Sequence, residues 1–413
     1  MLRKTLIDWL TVAAEAQRGE TRVARRGDMA RPVSAHRERT LDGAVIEQLV
    51  DEALTSGLLT AEGGISDEPL TGGNTAERVG VLSLRLPFVF KMDSNGAKLA
   101  AEGATIRAIR TDPNLPRAFR EAWPIIFALR SEPPYAYLME YFPRDAGWIS
   151  LEDRLYPGPD GAAPDRLAVL RLMTRVLDLL FEGYRASVDR RSLPNVAMDY
   201  VDRISGRLAE AAKQDARFRP RPLRIGGREL APWTDYLERL ERRRDRILAV
   251  TPAFRTVVHG DPNPGNLLLR TDGGGAGKLI DPKEWGAGNY LFDIAKITHF
   301  LEGTGPIEKP ASGKPPRPQL REEGRVGIVD YEIERPSWTD DAVAVCLEHV
   351  REFAEAQGDR AWRARYALAM ASNLLGLPIG RLTHKKNPRP EAAFILYCEG
   401  LKRLAEACEL VEA

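Results

Sequence analysis

The stretch of sequence that decides the fold runs Val257-Val258-His259-Gly260-Asp261-Pro262-Asn263-Pro264-Gly265-Asn266-Leu267-Leu268-Leu269, and a glycine-rich turn and Leu279-Ile280-Asp281 follow it. Short apolar runs, such as Thr256–Val258, predict buried strands. The turn Asp272–Gly275 predicts that Leu267–Arg270 and Lys278–Asp281 pair as a hairpin. Such a hairpin returns Asn266, at the start of one strand, to the side of Asp281, at the end of the next.

Three polar side chains of this stretch predict a catalytic site. Asn266 and Asp281 together offer the hard oxygen ligands that Mg²⁺ prefers. Asp261 lies in the loop that leads into the hairpin, where it can accept a proton from a substrate hydroxyl. The pattern is that of kinase-type phosphoryl transfer. It predicts Asp261, Asn266 and Asp281 as catalytic residues, with Asn266 and Asp281 as the metal ligands.

The ordered motifs resemble the aminoglycoside phosphotransferase and choline kinase family of the protein-kinase-like superfamily. Protein kinases carry His-Arg-Asp with an Asn five residues after the Asp, and here His259-Gly260-Asp261 precedes Asn266 at the same offset. The Gly in place of Arg, and Asp281-Pro282 in place of Asp-Phe-Gly, point away from protein kinases. Gly288–Ala295 is similar to the family's Gly-x-x-x-x-Asp-Leu-Ala segment. By this resemblance Asp293 ties the catalytic loop through backbone N–H groups, and His259 supports the loop.

The resemblance implies an α+β, bilobal protein-kinase-like fold with a small antiparallel-sheet N-lobe and a mainly helical C-lobe. We divide the chain into a helical N-terminal extension, 1–65, a nucleotide-binding N-lobe and hinge, 66–142, and a catalytic and substrate-binding C-lobe, 143–413. Ile46, Leu49 and Val50 recur at helical spacing in the extension. The extension could pack on the small lobe, mediate dimerisation or be partly mobile, and the oligomeric state stays open.

In the N-lobe, a lysine and a glutamate are predicted to act as a pair. Val79–Leu84 and Pro87–Asp93 predict strands, the second of which carries Lys91. Gly96–Ile109 predicts a helix that carries Glu102. The resemblance implies that Glu102 pairs with Lys91 and holds it against the α- and β-phosphates of the nucleotide.

Two further N-lobe segments are assigned to the nucleotide, ATP or GTP. The turn that contains Gly73 is a candidate cover for the phosphates. Tyr135–Phe142 predicts a strand that runs into the hinge. The resemblance implies that the backbone near Met139, Glu140 and Tyr141 binds the purine edge there.

The C-lobe is predicted to be mainly helical. The apolar spacing predicts helices over Asp165–Tyr184, Trp233–Leu248, Ala367–Leu377 and Ala392–Leu410. A stretch rich in Pro, Gly and basic residues, Gly303–Arg325, is predicted to interrupt these helices as a flap.

Composition favours an enzyme over a nucleic-acid-binding or membrane protein. The 413 residues include 60 basic and 59 acidic side chains, which gives no general electrostatic attraction to nucleic acid or an anionic membrane. No apolar run is long enough to span a bilayer, and the N-terminus lacks the apolar core of a signal peptide. Three cysteines without metal spacing suit a reducing cytoplasm. The expected partners are a nucleotide and a small hydroxylated substrate.

The predicted function is a small-molecule O-phosphotransferase that moves the γ-phosphate of ATP or GTP, with Mg²⁺, to a hydroxyl of a sugar, glycoside or nucleoside antibiotic. Near the motif the acidic side chains Glu284 and Glu302 are balanced by basic ones, namely Lys283, Lys296, His299 and Lys309. This mixture favours a neutral or anionic acceptor. The alternatives are an aminoglycoside antibiotic phosphotransferase, a non-catalytic nucleotide-binding scaffold and, disfavoured by the missing arginine, a protein kinase.

Overall fold

The computed structural model describes Val45, Gln48, Leu49, Glu52 and residues 62–66, 81–85, 88–93, 97–158, 161–191, 196–271, 277–283 and 288–413. It divides into two compact units. The first unit comprises Met1–Arg110 and Pro124–Pro143, and the second comprises Thr111–Trp123 and Arg144–Ala413. The three-segment division made from the sequence stays a prediction.

The described part of the first unit contains small antiparallel sheets, the helix Ala97–Thr111 and a few helical residues of the N-terminal extension. Its elements are β1 Glu62–Ser66, β2 Val81–Arg85, β3 Phe88–Asp93, α1 Ala97–Thr111, β4 Ile126–Arg130 and β5 Tyr135–Glu140. Strands β1 and β2 pair with each other, and β5 lies between β3 and β4. Gly103 lets α1 approach the sheet, because a Cβ there would meet Leu129 Cδ1 at 2.8 Å. The strand pair and helix predicted around Lys91 and Glu102 are therefore present.

The described part of the N-terminal extension packs on this sheet. Val45, Gln48, Leu49 and Glu52 are helical. Val45 and Leu49 are buried in one apolar cluster with Phe127 and Leu138. Of the three roles left open for the extension, the contacts of these residues support packing on the small lobe.

The second unit is mainly helical. Its helices are α2 Arg117–Ala122, α3 Leu151–Leu155, α4 Arg166–Ala186, α5 Val196–Gln214, α6 Trp233–Arg242, α7 Arg244–Ala249, α8 Tyr290–His299, α9 Gly305–Glu308, α10 Thr339–Gln357, α11 Trp362–Gly376, α12 Pro378–Leu382 and α13 Pro390–Glu412. A π-helical turn, Phe300–Thr304, joins α8 to α9. Its strands are β6 Trp148–Ser150, β7 Leu223–Ile225, β8 Arg228–Leu230, β9 Leu267–Arg270, β10 Lys278–Leu279, β11 Gln319–Glu323 and β12 Val326–Asp330.

Two sheets support these helices. One has the order β10-β9-β6 and is antiparallel. The other has the order β11-β12-β7-β8, with β12 parallel to β7. The core lies among the long helices, where α4 begins with its predicted cap: the Asp165 side chain accepts the N–H of Ala168. Helices α4, α11 and α13 confirm three of the four helices predicted for this lobe.

Two predictions of local structure need correction. The helix predicted over Trp233–Leu248 is present but is divided at Arg243, whose φ and ψ are −111° and 29°, within a run of exposed residues, 241–246, that gain no burial from a continuous helix. Thr256–Val258 makes only an isolated bridge, from Thr256 to Gly288, and no strand. The Gly303–Arg325 stretch contains α9 near its start and β11, which pairs with β12, near its end, and its role as a flap stays a prediction.

Candidate active site

The predicted hairpin is present and brings two site residues to adjacent positions. Leu279 pairs with Leu267 in the antiparallel β9–β10 register. The pairing extends one step further, where the Ile280 N–H donates to the Asn266 carbonyl at 3.0 Å. Asp281 follows Ile280 directly, as predicted, and the turn Asp272–Gly275 lies outside the described residues. The local strand pairing therefore sets Asn266 beside the segment that carries Asp281.

The loop before the hairpin is held by hydrogen bonds between its own side chains and its own backbone. A 3-10 turn, Pro264–Asn266, is capped by Asn263, whose side-chain oxygen accepts the Gly265 N–H. The Asn266 side-chain amide donates to the Asp261 carbonyl at 2.9 Å. This bond commits the amide nitrogen and leaves Oδ1 of Asn266 as the acceptor atom. The loop thus orients an amide oxygen without using a metal ion.

Asp281 adopts a backbone conformation that is uncommon outside glycine. Its φ is 56°, in the left-handed region, which aspartate enters more often than most non-glycine residues but still at some cost in free energy. Strained non-glycine residues cluster at functional sites, where the surrounding structure over-determines them. The hairpin on one side, and the Lys283 N–H donating to the His259 carbonyl at 3.0 Å on the other, impose this turn.

A buried carboxylate clamps the catalytic loop from α8. Asp293 Oδ2 accepts the His259 N–H at 2.7 Å, and Oδ1 accepts the Gly260 N–H at 2.8 Å. The hydroxyl of Tyr184 also donates to Asp293, at 2.9 Å. Burial raises the pKa of Asp293 to about 7, although the three donors lower it. The backbone bonds expected of Asp293 from the resemblance are confirmed.

His259 is a supporting residue. It is buried and lies stacked on Trp123, with ring centroids 5.4 Å apart and planes at 24°. Its Nδ1 accepts the backbone N–H of Asp261 at 3.3 Å. Burial lowers the pKa of His259 to about 4, against the attraction of Asp261. The imidazole is therefore neutral near pH 7 and holds the backbone of the loop, in agreement with the sequence-based expectation.

Two lysines hold the carboxylate of Asp261. Lys296 of α8 lies 3.2 Å from Oδ1, and Lys283 lies 3.2 Å from Oδ2. The Lys296 side chain is only 10% exposed, whereas that of Lys283 is 58% exposed. Burial raises the pKa of Asp261, but Lys296 and Lys283 outweigh it and hold the pKa below its ordinary value. The carboxylate is thus ionised and fixed in direction.

An arginine that the sequence analysis did not single out interacts electrostatically with the same carboxylate. Arg203 lies on α5, and its guanidinium stands 5.7 Å from the centroid of the Phe292 ring. Burial lowers the pKa of Arg203, Arg207 lowers it further, and Asp261 opposes both. No sequence signal marked Arg203, because a lone arginine on an amphipathic helix resembles many solvated ones.

Several charges weighed in the sequence analysis are paired with another side chain or neutral. Lys309 pairs with Glu152, and Glu302 pairs with Arg403 at 2.8 Å. His299 is buried, and burial followed by the charge of Lys296 lowers its pKa to about 3. His299 is therefore neutral, and counting it among the basic groups was wrong. Glu284 lies outside the described residues.

The donor set fits Mg²⁺. Asn266 offers an oriented amide oxygen, and Asp281 offers a carboxylate one residue beyond the hairpin bond. In the described ranges, no group of three or more His, Cys, Asp or Glu side chains is arranged to hold a metal. A site with two protein oxygens is the type in which Mg²⁺ takes its other ligands from water and nucleotide phosphates. These two side chains would hold the ion, whose assignment stays a prediction.

In the first unit, the predicted lysine–glutamate pair is present. Lys91 Nζ of β3 donates to Glu102 Oε1 of α1 at 2.8 Å. The Tyr137 hydroxyl of β5 donates to the same oxygen at 2.5 Å. Tyr137 was not predicted, because an aromatic residue in a strand usually serves the core. The role of this group toward phosphates stays a prediction.

The structure removes one backbone group, the N–H of Glu140, from those that were assigned to the purine. The Glu140 N–H donates to the Ile125 carbonyl at 2.9 Å, and the Glu140 side chain accepts the Ile125 N–H at 3.2 Å. The N–H of Glu140 is therefore engaged within the unit. Tyr141, which follows β5, is 47% exposed. Gly73 lies outside the described residues.

The comparison with protein families decides the identity of the chain. Residues 68–311 match the model of the phosphotransferase enzyme family. The chain belongs to this family. The match includes the catalytic loop, the hairpin and the Asp293 segment of the phosphotransferase. A comparison with curated proteins returns no match.

Several solved structures are similar to the phosphotransferase, and the first of those below, with a TM-score of 0.50, shows its fold. A glucosamine kinase is 15% identical, with a TM-score of 0.50 over 90% of this chain and 85% of that one. A choline/ethanolamine kinase family protein from Mesorhizobium loti is 14% identical, with a TM-score of 0.40 over 80% and 85% of the chains. An aminoglycoside phosphotransferase from Streptomyces rimosus, solved with ADP and streptomycin, is 14% identical, with a TM-score of 0.41 over 81% and 98%. The predicted α+β, protein-kinase-like fold class is confirmed.

Over the described residues, the phosphotransferase has no helix that is long and apolar enough to cross a bilayer.

Proposed function

We propose that the phosphotransferase transfers the γ-phosphate of ATP or GTP, with Mg²⁺, to a hydroxyl of a neutral or anionic, sugar-like small molecule. The observation that carries this proposal is the joined geometry of the catalytic loop and hairpin. Asp261 presents an ionised carboxylate, and the Ile280–Asn266 bond keeps Asn266 beside the segment of Asp281. These are the parts that phosphoryl transfer requires.

In the proposed reaction, Asp261 accepts a hydrogen bond from the acceptor hydroxyl and orients its oxygen toward the γ-phosphorus. The new bond forms between this oxygen and phosphorus as the bond from phosphorus to the β-phosphate oxygen breaks. The nucleoside diphosphate leaves, and the hydroxyl proton passes to Asp261. A weakly basic carboxylate suffices, because the transition state of phosphoryl transfer is loose and the proton moves late.

The other site residues hold the metal ion, the nucleotide phosphates and the catalytic loop in position. Asn266 and Asp281 would bind Mg²⁺, which neutralises the charge of the β- and γ-phosphate oxygens. Lys91, held by Glu102 and Tyr137, supplies a positive charge for the non-transferred phosphates. Asp293 and His259 keep the loop in shape from behind. Each of these roles is electrostatic or positional, as expected for this chemistry.

No contact in the structure favours either alternative function, an aminoglycoside phosphotransferase or a non-catalytic scaffold. A polycationic aminoglycoside would have to approach a base that already carries Lys283 and Lys296. A non-catalytic scaffold would not need an ionised Asp261, a strained Asp281 and a buried clamp at Asp293 together. We therefore retain the small-molecule kinase as the proposed function.

The test is turnover with Mg²⁺ and each nucleotide, measured on a panel of sugars and glycosides by mass spectrometry of the products. Asp261→Ala should lower turnover by a factor on the order of 10² to 10⁴, while nucleotide binding persists. Near-normal turnover in this variant would exclude Asp261 as the base. Arg207→Met, a change at an exposed residue, is the matched control and should retain full turnover.

A further inference from the structure

The carboxylate of Asp261 is surrounded by more positive charge than it can neutralise. Three side chains, Arg203, Lys283 and Lys296, form what we call the cationic cluster. Each lysine contacts one oxygen of Asp261, at 3.2 Å. Arg203 pairs with no carboxylate in the part of the chain that the structure describes. One carboxylate is therefore in contact with two lysines and interacts electrostatically with a third cation, Arg203.

The cluster is held together by its packing. Arg203 and Lys296 each stand 5.7 Å from the centroid of the same ring, that of Phe292. The Arg203 guanidinium fits against α11 because residue 376 is glycine, where a Cβ would meet Arg203 Nε at 3.1 Å. The stem of Lys283 packs on Gly260, where a Cβ would meet Lys283 Cβ at 2.8 Å. Glycines thus make room for two of the three cations, Arg203 beside α11 and Lys283 beside the catalytic loop.

The three side chains of the cationic cluster repel one another, and the cluster is partly buried. Burial lowers the pKa of Lys296, and Arg203 and Lys283 lower it further, against the attraction of Asp261. Like charges brought together at low effective dielectric destabilise the site unless an anion compensates them. Two acidic side chains of the described residues do not supply that anion, since Glu302 pairs with Arg403 and Glu152 with Lys309. Glu284, the other acidic residue weighed from the sequence, lies outside the described residues.

We infer that the acceptor carries an anionic group, a carboxylate or a phosphate, which Arg203 and Lys283 bind next to the reacting hydroxyl. The inference rests on the proposed function and narrows its acceptor from neutral or anionic to anionic. Lys296 is nearly buried and keeps its contact with Oδ1 of Asp261. Lys283 is exposed and can move from Oδ2 to the anion of the acceptor, so that Oδ2 receives the hydroxyl. Arg203 supplies the planar donor pair that suits a carboxylate or phosphate.

A buried amide on α11 adds hydrogen-bonding capacity close by. Asn373 is fully buried, and neither its side-chain nitrogen nor its oxygen has a partner in the structure. It precedes Gly376 by three residues and therefore shares the helix face of the residue that contacts Arg203. Buried polar groups are usually paired, so this amide is available to a polar ligand or a bound water.

The first experiment measures anion binding without turnover. The full chain is saturated with Mg²⁺ and a non-hydrolysable ATP analogue, which occupies the γ-phosphate position, and is titrated with inorganic phosphate or glucuronate by calorimetry. We expect binding of at least one probe, weakened about tenfold or more in Arg203→Met and in Lys283→Met. Arg203→Lys should recover part of the loss. The control Lys213→Met, which changes an exposed lysine further along α5, should bind like the wild type.

Absence of binding of both probes, or equal binding in all variants, would overturn the inference. If Arg203→Met does not fold, Lys283→Met and Arg203→Lys decide the result.

The second experiment compares acceptors that share the glucose ring and carry different charges. Transfer is measured to glucose, glucosamine, glucuronate and glucose 6-phosphate. We expect kcat/KM for an anionic member to exceed that for glucose by about tenfold or more, and glucosamine to be the poorest acceptor. The two anions distinguish a carboxylate from a phosphate. Transfer to glucose as fast as or faster than to both anions would refute the inference while supporting the proposed function, and faster transfer to glucosamine would refute both statements about the charge of the acceptor. Loss of transfer in Asp261→Ala checks the role of Asp261 separately.

Discussion

At the scale of single residues, what a charged side chain can bind depends on the neighbours that hold it in one orientation. Glu102 receives both the Lys91 ammonium and the Tyr137 hydroxyl on one oxygen. Lys91 Nζ also lies 5.5 Å from the centroid of the Tyr137 ring. A lysine with four rotatable bonds gains direction from such contacts, since each removes rotamer freedom that binding would otherwise have to restrict.

We predict that Lys91→Met raises the KM for the nucleotide by about tenfold or more, because a charged contact to phosphate contributes about 1.5–3 kcal/mol. Tyr137→Phe should raise it only a few-fold, because the ion pair remains while one bond to Glu102 is lost. Nucleotide KM and kcat are measured separately for each variant. Lys98→Met, an exposed lysine on α1, is the control. A nucleotide KM unchanged by Lys91→Met would remove Lys91 from the phosphate site.

At the scale of elements, the catalytic loop is held in place by one helix that follows it in the sequence, α8, and by a residue next to one that precedes it, α2. Asp293 of α8 holds the backbone at His259, and the Trp123 ring that follows α2 stacks on the His259 imidazole. Helix α2 in turn packs on α4, where Gly183 faces the ring of Phe119 and a Cβ would meet it at 2.4 Å. The close approach of α2 to α4 therefore helps to set the position of the ring behind the loop.

Gly183→Ala tests this brace. The methyl group has no space beside Phe119, so we expect a destabilisation of about 1–3 kcal/mol by overpacking and a lower kcat as α2 shifts. Gly206→Ala is the matched control, because Gly206 is also helical and a Cβ there meets nothing within 4 Å. That variant should be stabilised by about 0.4–1 kcal/mol. Urea unfolding and turnover are measured on both. Equal stabilities would contradict the packing argument.

At the scale of the whole molecule, the second unit buries several ionisable groups whose protonation is tied to folding. Burial lowers the pKa of His259 to about 4 and of His299 to about 3, and it raises the pKa of Asp293 to about 7. The unfolded chain protonates the histidines near pH 6.5, whereas the folded chain does not. Their contribution is therefore present above pH 6.5 and lost as the pH falls. Asp293 acts with the opposite sign between about pH 4 and 7.

We predict that His299→Gln reduces the loss of stability on acidification. Between pH 7 and pH 5 the wild-type His299 should forfeit about 2 kcal/mol, from 1.36 kcal/mol per pH unit below 6.5. The free energy of unfolding is measured at several pH values for both proteins, so that the contributions of Asp293 and His259 cancel in the difference. His384→Gln changes an exposed histidine and serves as the control. Parallel pH profiles for wild type and His299→Gln would refute the assignment.

The sequence by itself determined the parts of the site that depend on local contacts. The β9–β10 hairpin, the Asp165 cap of α4 and the succession Asp261, Asn266, Asp281, Asp293 follow from turn residues, apolar spacing and ordered motifs. These contacts join residues that are close along the chain, so their sequence pattern already contains the geometry. The break at Arg243 and the missing strand at Thr256–Val258 show the limit of prediction from local sequence. Both depend on contacts, or on their absence, with parts of the chain outside the segment.

Only the tertiary structure decided which distant side chains meet the catalytic loop. Trp123, Tyr184 and Arg203 come from helices or loops far along the chain, and their contacts have no periodic or motif signal. The same holds for the charge state of the site: Lys296 and His299 both read as basic residues in the sequence. Burial makes the histidine neutral, and it leaves the lysine fixed on Asp261. Desolvation depends on packing from every side, and a linear sequence does not specify that packing.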